Sequence, residues 1–229
     1  MINNLYFFLK NKSPKIVIFL YLYNKLINIF FKNKKKFFKK KHKNYLLNKK
    51  ITNDYFSMHA FNFFKCLSNF NKNFEYLEIG SYEGNSAIFV AKNFKNCNIF
   101  CVDTWQGSEE HSRHDFEKIE SNFVYNIKEF NNIYKIKSTS DNFFYKNSNN
   151  FDCIYVDGNH HSDQVYLDCQ NAWAVLNKNG YLICDDYTWN YYKNIKQNSC
   201  SGINNFLKSI NNFKYYMVSN SQIFIKKIF

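Results

Sequence analysis

The sequence predicts an α/β fold: a doubly wound sheet of seven strands, mostly parallel, closed by a C-terminal antiparallel hairpin. Three observations carry that prediction. From residue 51 onward, short apolar runs rich in β-branched and aromatic residues alternate with longer segments of helical spacing. Glycine is scarce, six in 229 residues, and Gly80, Gly84, Gly107, Gly158 and Gly180 all fall where the chain must turn. The last two strand-like runs, 214–220 and 221–228, lie too close together for a helical crossover, so they pair antiparallel.

The first fifty residues stand apart. They contain 14 lysines and no arginine, aspartate or glutamate, and so carry +14, whereas the other 17 basic and 18 acidic residues leave 51–229 at −1. The body therefore lacks the excess positive charge that holds a phosphate backbone, which weighs against a nucleic-acid substrate. Ser13-Pro14 reads as an N-cap followed by proline at the first helical position. The run 15–31 (KIVIFLYLYNKLINIFF) is apolar but broken by Asn24, Lys25 and Asn28, and it falls short of the ~20 apolar residues of a membrane span. Eight lysines then lie between Lys32 and Lys43. No small-residue cleavage site follows, so a cleaved signal peptide is not expected. An apolar helix beside a polybasic stretch fits the anionic inner face of a membrane. A basic helix docked on the body by its aromatic face fits as well, and attraction of nucleic acid by the lysines is a third reading. The expected organisation is a basic, apolar segment over 1–50 and one α/β domain over 51–229.

Within the body, 54–67 has helical spacing, 75–79 (EYLEI) is a short buried strand and 85–94 a helix. Strand 98–103 (NIFCVD), amphipathic helix 117–130, strand 133–138 (IYKIKS) and strand 151–157 (FDCIYVD) follow. Helix 163–176, strand 180–186 (GYLICDD), a helix within 189–210 and the closing hairpin complete the order. The seven cysteines include no Cys-x-x-Cys pair, and Cys101, Cys153 and Cys184 sit inside strand runs. They read as small buried hydrophobes in a reducing, cytoplasmic setting. Arg113 is the one arginine, and the heavy use of Asn, Lys, Phe, Ile and Tyr reads as compositional drift rather than function.

In a parallel sheet of this kind, ligands bind beyond the carboxyl ends of the strands. After the first strand stands Glu78-Ile79-Gly80-Ser81-Tyr82-Glu83-Gly84. Glycines there let the backbone approach a ligand, and the following helix N-terminus offers N–H groups to an anion. Asp103 ends the second strand, 25 residues beyond Glu78, where a carboxylate can accept both hydroxyls of a ribose. The ordered pair points to a nucleoside-containing ligand. Asp157 ends the fourth strand, and Asp185 and Asp186 end the fifth, 28 and 29 residues later. Three carboxylates converging on one edge repel unless one protonates or a cation joins them, and hard oxygen ligands suit Mg²⁺ or a similar divalent ion.

The loop Glu-x-Gly-x-x-x-Gly, the acidic end of the next strand and the terminal hairpin resemble the class I S-adenosylmethionine-dependent methyltransferases, whose fold is Rossmann-like. More narrowly, YLEIGSYEGNSAIF, CVDTWQGSEEH, FDCIYVDGNHHSDQV and GYLICDDYTW are similar to a bacterial group of small-molecule and sugar O-methyltransferases. The resemblance covers roughly 55–228 and leaves out the basic segment. It implies that Glu78, Gly80, Ser81 and Gly84 shape the methionine end of an S-adenosylmethionine site. It implies that Asp103 holds the ribose, that Thr104 and Trp105 flank the adenine, and that Thr139 and Ser140 reach its edge. The family's aspartate near that edge is matched only by Asp141, one or two places late.

The same resemblance proposes Asp157, Asp185 and Asp186 as metal ligands and His160, three residues after Asp157, as the base that takes the substrate proton. Some sugar methyltransferases use an aspartate two residues after the first ligand, where this chain has Asn159. His161 is expected to cap the next helix or contact substrate. Tyr187, Trp189 and the segment 107–115, with His111, Arg113 and His114, are the expected substrate wall. The implied activity is transfer of a methyl group to a hydroxyl of a saccharide or other small molecule. Two other readings stay open: a non-catalytic nucleotide-binding module tethered to a membrane, and an NAD-dependent oxidoreductase. The missing third glycine and the terminal hairpin weigh against the latter. Oligomeric state is not legible.

Overall fold

The structure, a computed structural model, describes residues 2–107, 115–219 and 221–229. Four helices come first: α1 (Ile2–Lys10), α2 (Lys15–Ile27), α3 (Lys32–Tyr45) and α4 (Ala60–Leu67). The alternating part runs β1 (Phe74–Ile79), α5 (Asn85–Asn93), β2 (Cys97–Asp103), α6 (Phe116–Ile127) and β3 (Ile133–Lys137). It continues through α7 (Ser140–Lys146), β4 (Phe151–Val156), α8 (Ser162–Val175) and β5 (Leu176–Cys184). A 3-10 turn (Ile195–Gln197), α9 (Ser199–Ser209), β6 (Phe213–Val218) and β7 (Ile223–Lys227) complete the chain.

The seven strands form one sheet in the order β3-β2-β1-β4-β5-β7-β6. Strands β1 to β5 are parallel, and β7 runs antiparallel to both β5 and β6, as the short final connection requires. The sheet is buried on both faces, so its strands read as nearly continuous apolar runs. The pleat sorts them: Tyr76, Cys153, Tyr181 and Phe224 point into one core, and their neighbours Leu77, Ile154, Leu182 and Ile225 into the other. All seven cysteines are buried and unpaired.

The first fifty residues wrap this sheet. Phe8, Val17 and Tyr21 of α1 and α2 are fully buried in the second core, and Asn24 Nδ2 donates to the Val218 carbonyl at 2.6 Å. Helix α3 crosses to the opposite face, where Phe38 packs on Phe61 and Phe64, and His42 bonds Asn85. Ser13 does not cap α2. Pro14 holds the N-cap position, and Ser13 Oγ instead accepts from the buried Tyr187 hydroxyl at 2.8 Å.

Three local departures from the sequence pattern have physical causes. The helix expected over 54–67 forms only from Ala60, because Asp54 turns the chain by accepting from Ser57 N at 2.9 Å and from Asn85 Nδ2 at 3.1 Å. Helix α7 was not legible as a helix, although Thr139 caps it by accepting from Asn142 N. Strand β5 starts at Leu176, four residues before the expected Gly180, since Leu176 pairs with Phe151 across a register shift.

The connection from α3 to α4 is held by one buried carboxylate. Glu83 Oε1 accepts from Thr52 Oγ1 at 2.6 Å and Asn122 Nδ2 at 2.8 Å, and its Oε2 accepts from Thr52 N at 2.5 Å. Asn126 joins the same group, bonding Lys50 N, the Lys50 carbonyl and the Glu83 carbonyl. Replacing Glu83 with Ala strands these donors. We expect it to lower unfolding free energy by about 3 kcal/mol and to open residues 46–59 to protease. A urea-unfolding midpoint equal to that of the parent protein would contradict this role for Glu83.

Candidate active site

The register of the sheet assembles the site. Ile79 is level with Val102 on one side and Val156 on the other, and Val156 is level with Cys184. The ladder continues one residue past each strand: Gly80 N donates to Val102 O, Asp157 N to Ile79 O, and Asp185 N to Val156 O, at 2.8–3.0 Å. The residues after β1, β2, β4 and β5 thus line one edge. There they border a cavity of about 790 Å³ that also takes in Ser138, Thr139, Ser140, Trp189 and Tyr191. The switch point of the sheet lies between β1 and β4, where chain connections run off in opposite directions.

At the β1 end, Gly80 has φ +87°, and a Cβ there would lie 2.0 Å from the Asp157 carbonyl oxygen. Only glycine lets these two loops meet. Asp103 Oδ2 accepts from Ser81 N at 2.8 Å and Tyr82 N at 2.9 Å, and Oδ1 accepts from Trp105 N at 2.7 Å. The carboxylate thereby fixes both loops while still facing the cavity. Thr104 also lines the cavity. Trp105 lies at the cavity wall but is only 3% exposed; its Nε1 donates to the Tyr82 carbonyl and its ring packs on Phe123. Glu78 and Gly84 do not reach the cavity lining. Gly84 turns the chain at φ +79° over Phe123. Glu78 lies fully buried beneath the loop and accepts from the Tyr76 hydroxyl at 3.1 Å. Burial pushes its carboxyl up to about 7, against hydrogen bonds from Ser86, Ser81 and Tyr76 that favour the anion.

At the β4–β5 end, His160 Nε2 lies 2.9 Å from Asp186 Oδ2 and 3.6 Å from Asp157 Oδ1. Its ring leans on Trp189, with centroids 4.8 Å apart. Asp157, His160 and Asp186 place one ligand-type atom each within 4.8 Å of one another. Asp186 reaches this position from a left-handed backbone, φ 53°, which is uncommon for a residue with a side chain. Asp185 is turned elsewhere: its Oδ2 accepts from Gln222 Nε2 at 2.7 Å and from the Tyr155 hydroxyl, and its Oδ1 accepts from Asp186 N. Tyr155 also reaches Asp157 Oδ2, at 2.7 Å, yet has a single proton for two carboxylates. Burial first, and then the Asp185 charge, holds Asp157 well above the usual carboxylate range. Two carboxylate oxygens and an imidazole nitrogen, crowded and partly desolvated, fit a small divalent cation.

The expected residues are therefore divided. Gly80, Ser81, Asp103, Thr104, Trp105, Thr139, Ser140, Asp157, His160, Asp185 and Asp186 meet at the cavity, with Glu78 and Gly84 supporting it from behind. His161 occupies the N-cap position of α8 without a side-chain capping bond, and its ring meets Tyr192 instead. Tyr187 is buried against Ser13 and Asn204 rather than in the wall. Of the expected wall segment 107–115, Gly107 borders the cavity, and residues 108–114, with His111, Arg113 and His114, lie outside the described residues.

Sequence reading missed two groups. Asn53, Tyr55, Met58 and His59, from the connection before α4, border the cavity because Glu83 holds that connection in place. Gln164 and Asp168 border it from α8, where Gln164 Nε2 donates to Asp168 Oδ1 at 2.9 Å and to Asp141 Oδ1 at 3.1 Å. Their spacing of four places them on one helix face, a signal present in the sequence but silent about which face meets the ligand.

The order of this sheet, with its antiparallel seventh strand and its glycine loop above β1, defines the class I methyltransferase fold. Residues 77–187, just under half of the chain, match the family model described as a methyltransferase domain. An uncharacterized protein of Acanthamoeba polyphaga mimivirus is 30% identical over 133 residues, 54% of this chain and 58% of that protein. The match thus spans just over half the length of that relative. Among solved structures, the O-methyltransferase NovP superposes with TM-score 0.56 at 13% identity, covering 73% of this chain and 78% of that one. The methyltransferase MycE from the mycinamycin biosynthetic pathway, in complex with Mg and SAH, superposes with TM-score 0.56 at 14% identity, covering 77% and 51%. At these identities the likeness is one of fold.

Two outcomes test the geometry. Gly80→Ala should destabilise the protein by about 4 kcal/mol or leave it unfolded, since both the positive φ and the Asp157 carbonyl oppose a Cβ; circular dichroism on heating measures it. Glu78 gives a pH signature. Its folded value, about 7, lies above the ordinary 4.5, so the folded state keeps a proton that the unfolded chain releases. Its contribution to stability is greatest below about pH 4.5, declines through about pH 7 and is flat beyond, a span of at most about 3 kcal/mol. Glu78→Gln should flatten the stability profile between about pH 5 and about pH 7; an unchanged slope would remove Glu78 as its source.

Proposed function

We propose that the protein is an O-methyltransferase that moves the methyl group of S-adenosylmethionine to a hydroxyl of a saccharide or similar small molecule. The observation that carries this reading is one cavity with two unlike ends. Gly80, Ser81 and Asp103 stand at one end, and Asp157, His160 and Asp186 at the other. The first end suits a nucleoside with a cationic amino-acid tail: the glycine turn admits the backbone, and Asp103 offers its remaining acceptor capacity to ribose hydroxyls. Thr139, Ser140 and the Gln164–Asp168 pair supply polar groups for the base edge.

At the second end the acceptor hydroxyl would sit beside His160. In the transfer step the sulfonium S–CH₃ bond breaks as the C–O bond forms. The hydroxyl proton passes to the His160 imidazole, and the cofactor leaves as the neutral thioether. Asp186, 2.9 Å from the imidazole, orients it and stabilises its protonated form. Trp189 and Tyr191, stacked at 5.3 Å, and Tyr55 would flank a ring-shaped acceptor and shield it from water. The protein's part is alignment and a positioned base rather than covalent chemistry.

A second reading is favoured by the same cluster. Asp157, Asp186 and His160 would hold a divalent cation, which when bound would acidify an acceptor hydroxyl. Asp185, expected as the third ligand, would then serve from behind through Tyr155 and Asp186 N.

Titration calorimetry of S-adenosylmethionine into the full chain should give micromolar binding, weakened about tenfold or more in Asp103→Asn. His160→Ala should lower turnover about 100-fold with cofactor affinity unchanged. Parent turnover that survives a chelator speaks against the metal-assisted route, whereas turnover that a chelator abolishes and Mg²⁺ restores supports it. Failure to bind the cofactor at all would sink the methyltransferase reading.

A further inference from the structure

The first fifty residues spend one face of α2 on the sheet and leave the other in water. Val17 and Tyr21 are buried, but Ile16, Phe19, Tyr23 and Leu26 are exposed, with Phe19 at 62% and Leu26 at 66%. Their spacing of three, four and three places them on a single stripe along the helix. Phe19 and Tyr23 stack within it, ring planes 9° apart. The turn after α2 extends the apolar surface with Ile29, 72% exposed, and Phe30, 84% exposed. A helix apolar on both sides, one of them unburied, is a surface for something else.

The charge around the stripe says what that is. Exposed Lys10, Lys12 and Lys15 precede it, and exposed Lys32, Lys34 and Lys36 follow it. No carboxylate occurs anywhere in residues 1–50, which carry +14. We infer that this face docks on an anionic lipid surface, with Phe19, Tyr23, Leu26 and Phe30 entering the acyl boundary and the flanking lysines meeting headgroups. The helix lies in the interface rather than across it. At 13 residues it is about 20 Å long, and no described helix is long and apolar enough to cross a membrane. Two other occupants fit less well. Nucleic acid would engage the lysines but leave the stripe in water. A second copy would bury the stripe but set one lysine-rich segment against another.

Co-sedimentation of the full chain with vesicles tests this. Phosphatidylcholine vesicles containing about a third phosphatidylglycerol should bind it at least tenfold more tightly than pure phosphatidylcholine, and salt should weaken the binding. Phe19→Ser with Leu26→Ser keeps the charge and removes only exposed side chains, and should reduce binding about tenfold or more. Lys32→Glu with Lys36→Glu should reduce it comparably. No sedimentation with anionic vesicles overturns the inference. Binding untouched by the Phe19 and Leu26 changes also overturns it, since charge alone would then explain attachment. So does a dimer by light scattering that the same two changes convert to monomer, which would assign the stripe to a second copy.

Discussion

The site depends on how closely two loops approach at the switch point of the sheet. Gly80 lies where any side chain would collide with the Asp157 carbonyl oxygen, so the loops after β1 and β4 touch through backbone alone. That contact, with the ladder bonds that run one residue past each strand, makes four strand ends into a single floor. Asp103 then ties the β1 and β2 loops together from above. Rigidity at this edge comes from backbone pairing, leaving side chains free to face the cavity.

Burial at the floor is electrically demanding. Glu78, Asp157, Asp168 and Asp185 all lie in surroundings that raise their carboxyl groups above the ordinary range, chiefly through loss of water. Tyr155 and Gln222 answer part of this for Asp157 and Asp185. Groups held so far from their ordinary behaviour are typical of places where protons or charges change hands. The positive φ values at Tyr82, Trp105 and Asp186 fall along the same cavity, so backbone strain is concentrated there too.

The N-terminal fifty residues are bound into this architecture. Their inner side fills both cores, and the connection that follows supplies one wall of the cavity through Thr52 and Glu83. One element of the chain therefore serves the sheet, the site and an outward-facing surface at once. Any force on the outer face of α2 acts on a helix whose other face rests against the sheet.

The sequence by itself determined the strand and helix alternation, the antiparallel close, and the positions of Gly80, Asp103, Asp157, His160 and Asp186. Each of these follows from local pattern: apolar runs that must be buried, and polar residues standing where those runs stop. It did not determine which of Asp157, Asp185 and Asp186 face one another, because that turns on the backbone at Asp186 and on Gln222, far along the chain. Nor did it reveal Glu83 as an anchor, since its partners Thr52, Asn122 and Asn126 come from separate elements and share no local signal. Helix α7 and the irregular stretch before Ala60 escaped for the same reason. Short segments take their shape from tertiary hydrogen bonds that outweigh intrinsic preference, and those bonds exist only once the sheet has brought distant residues together.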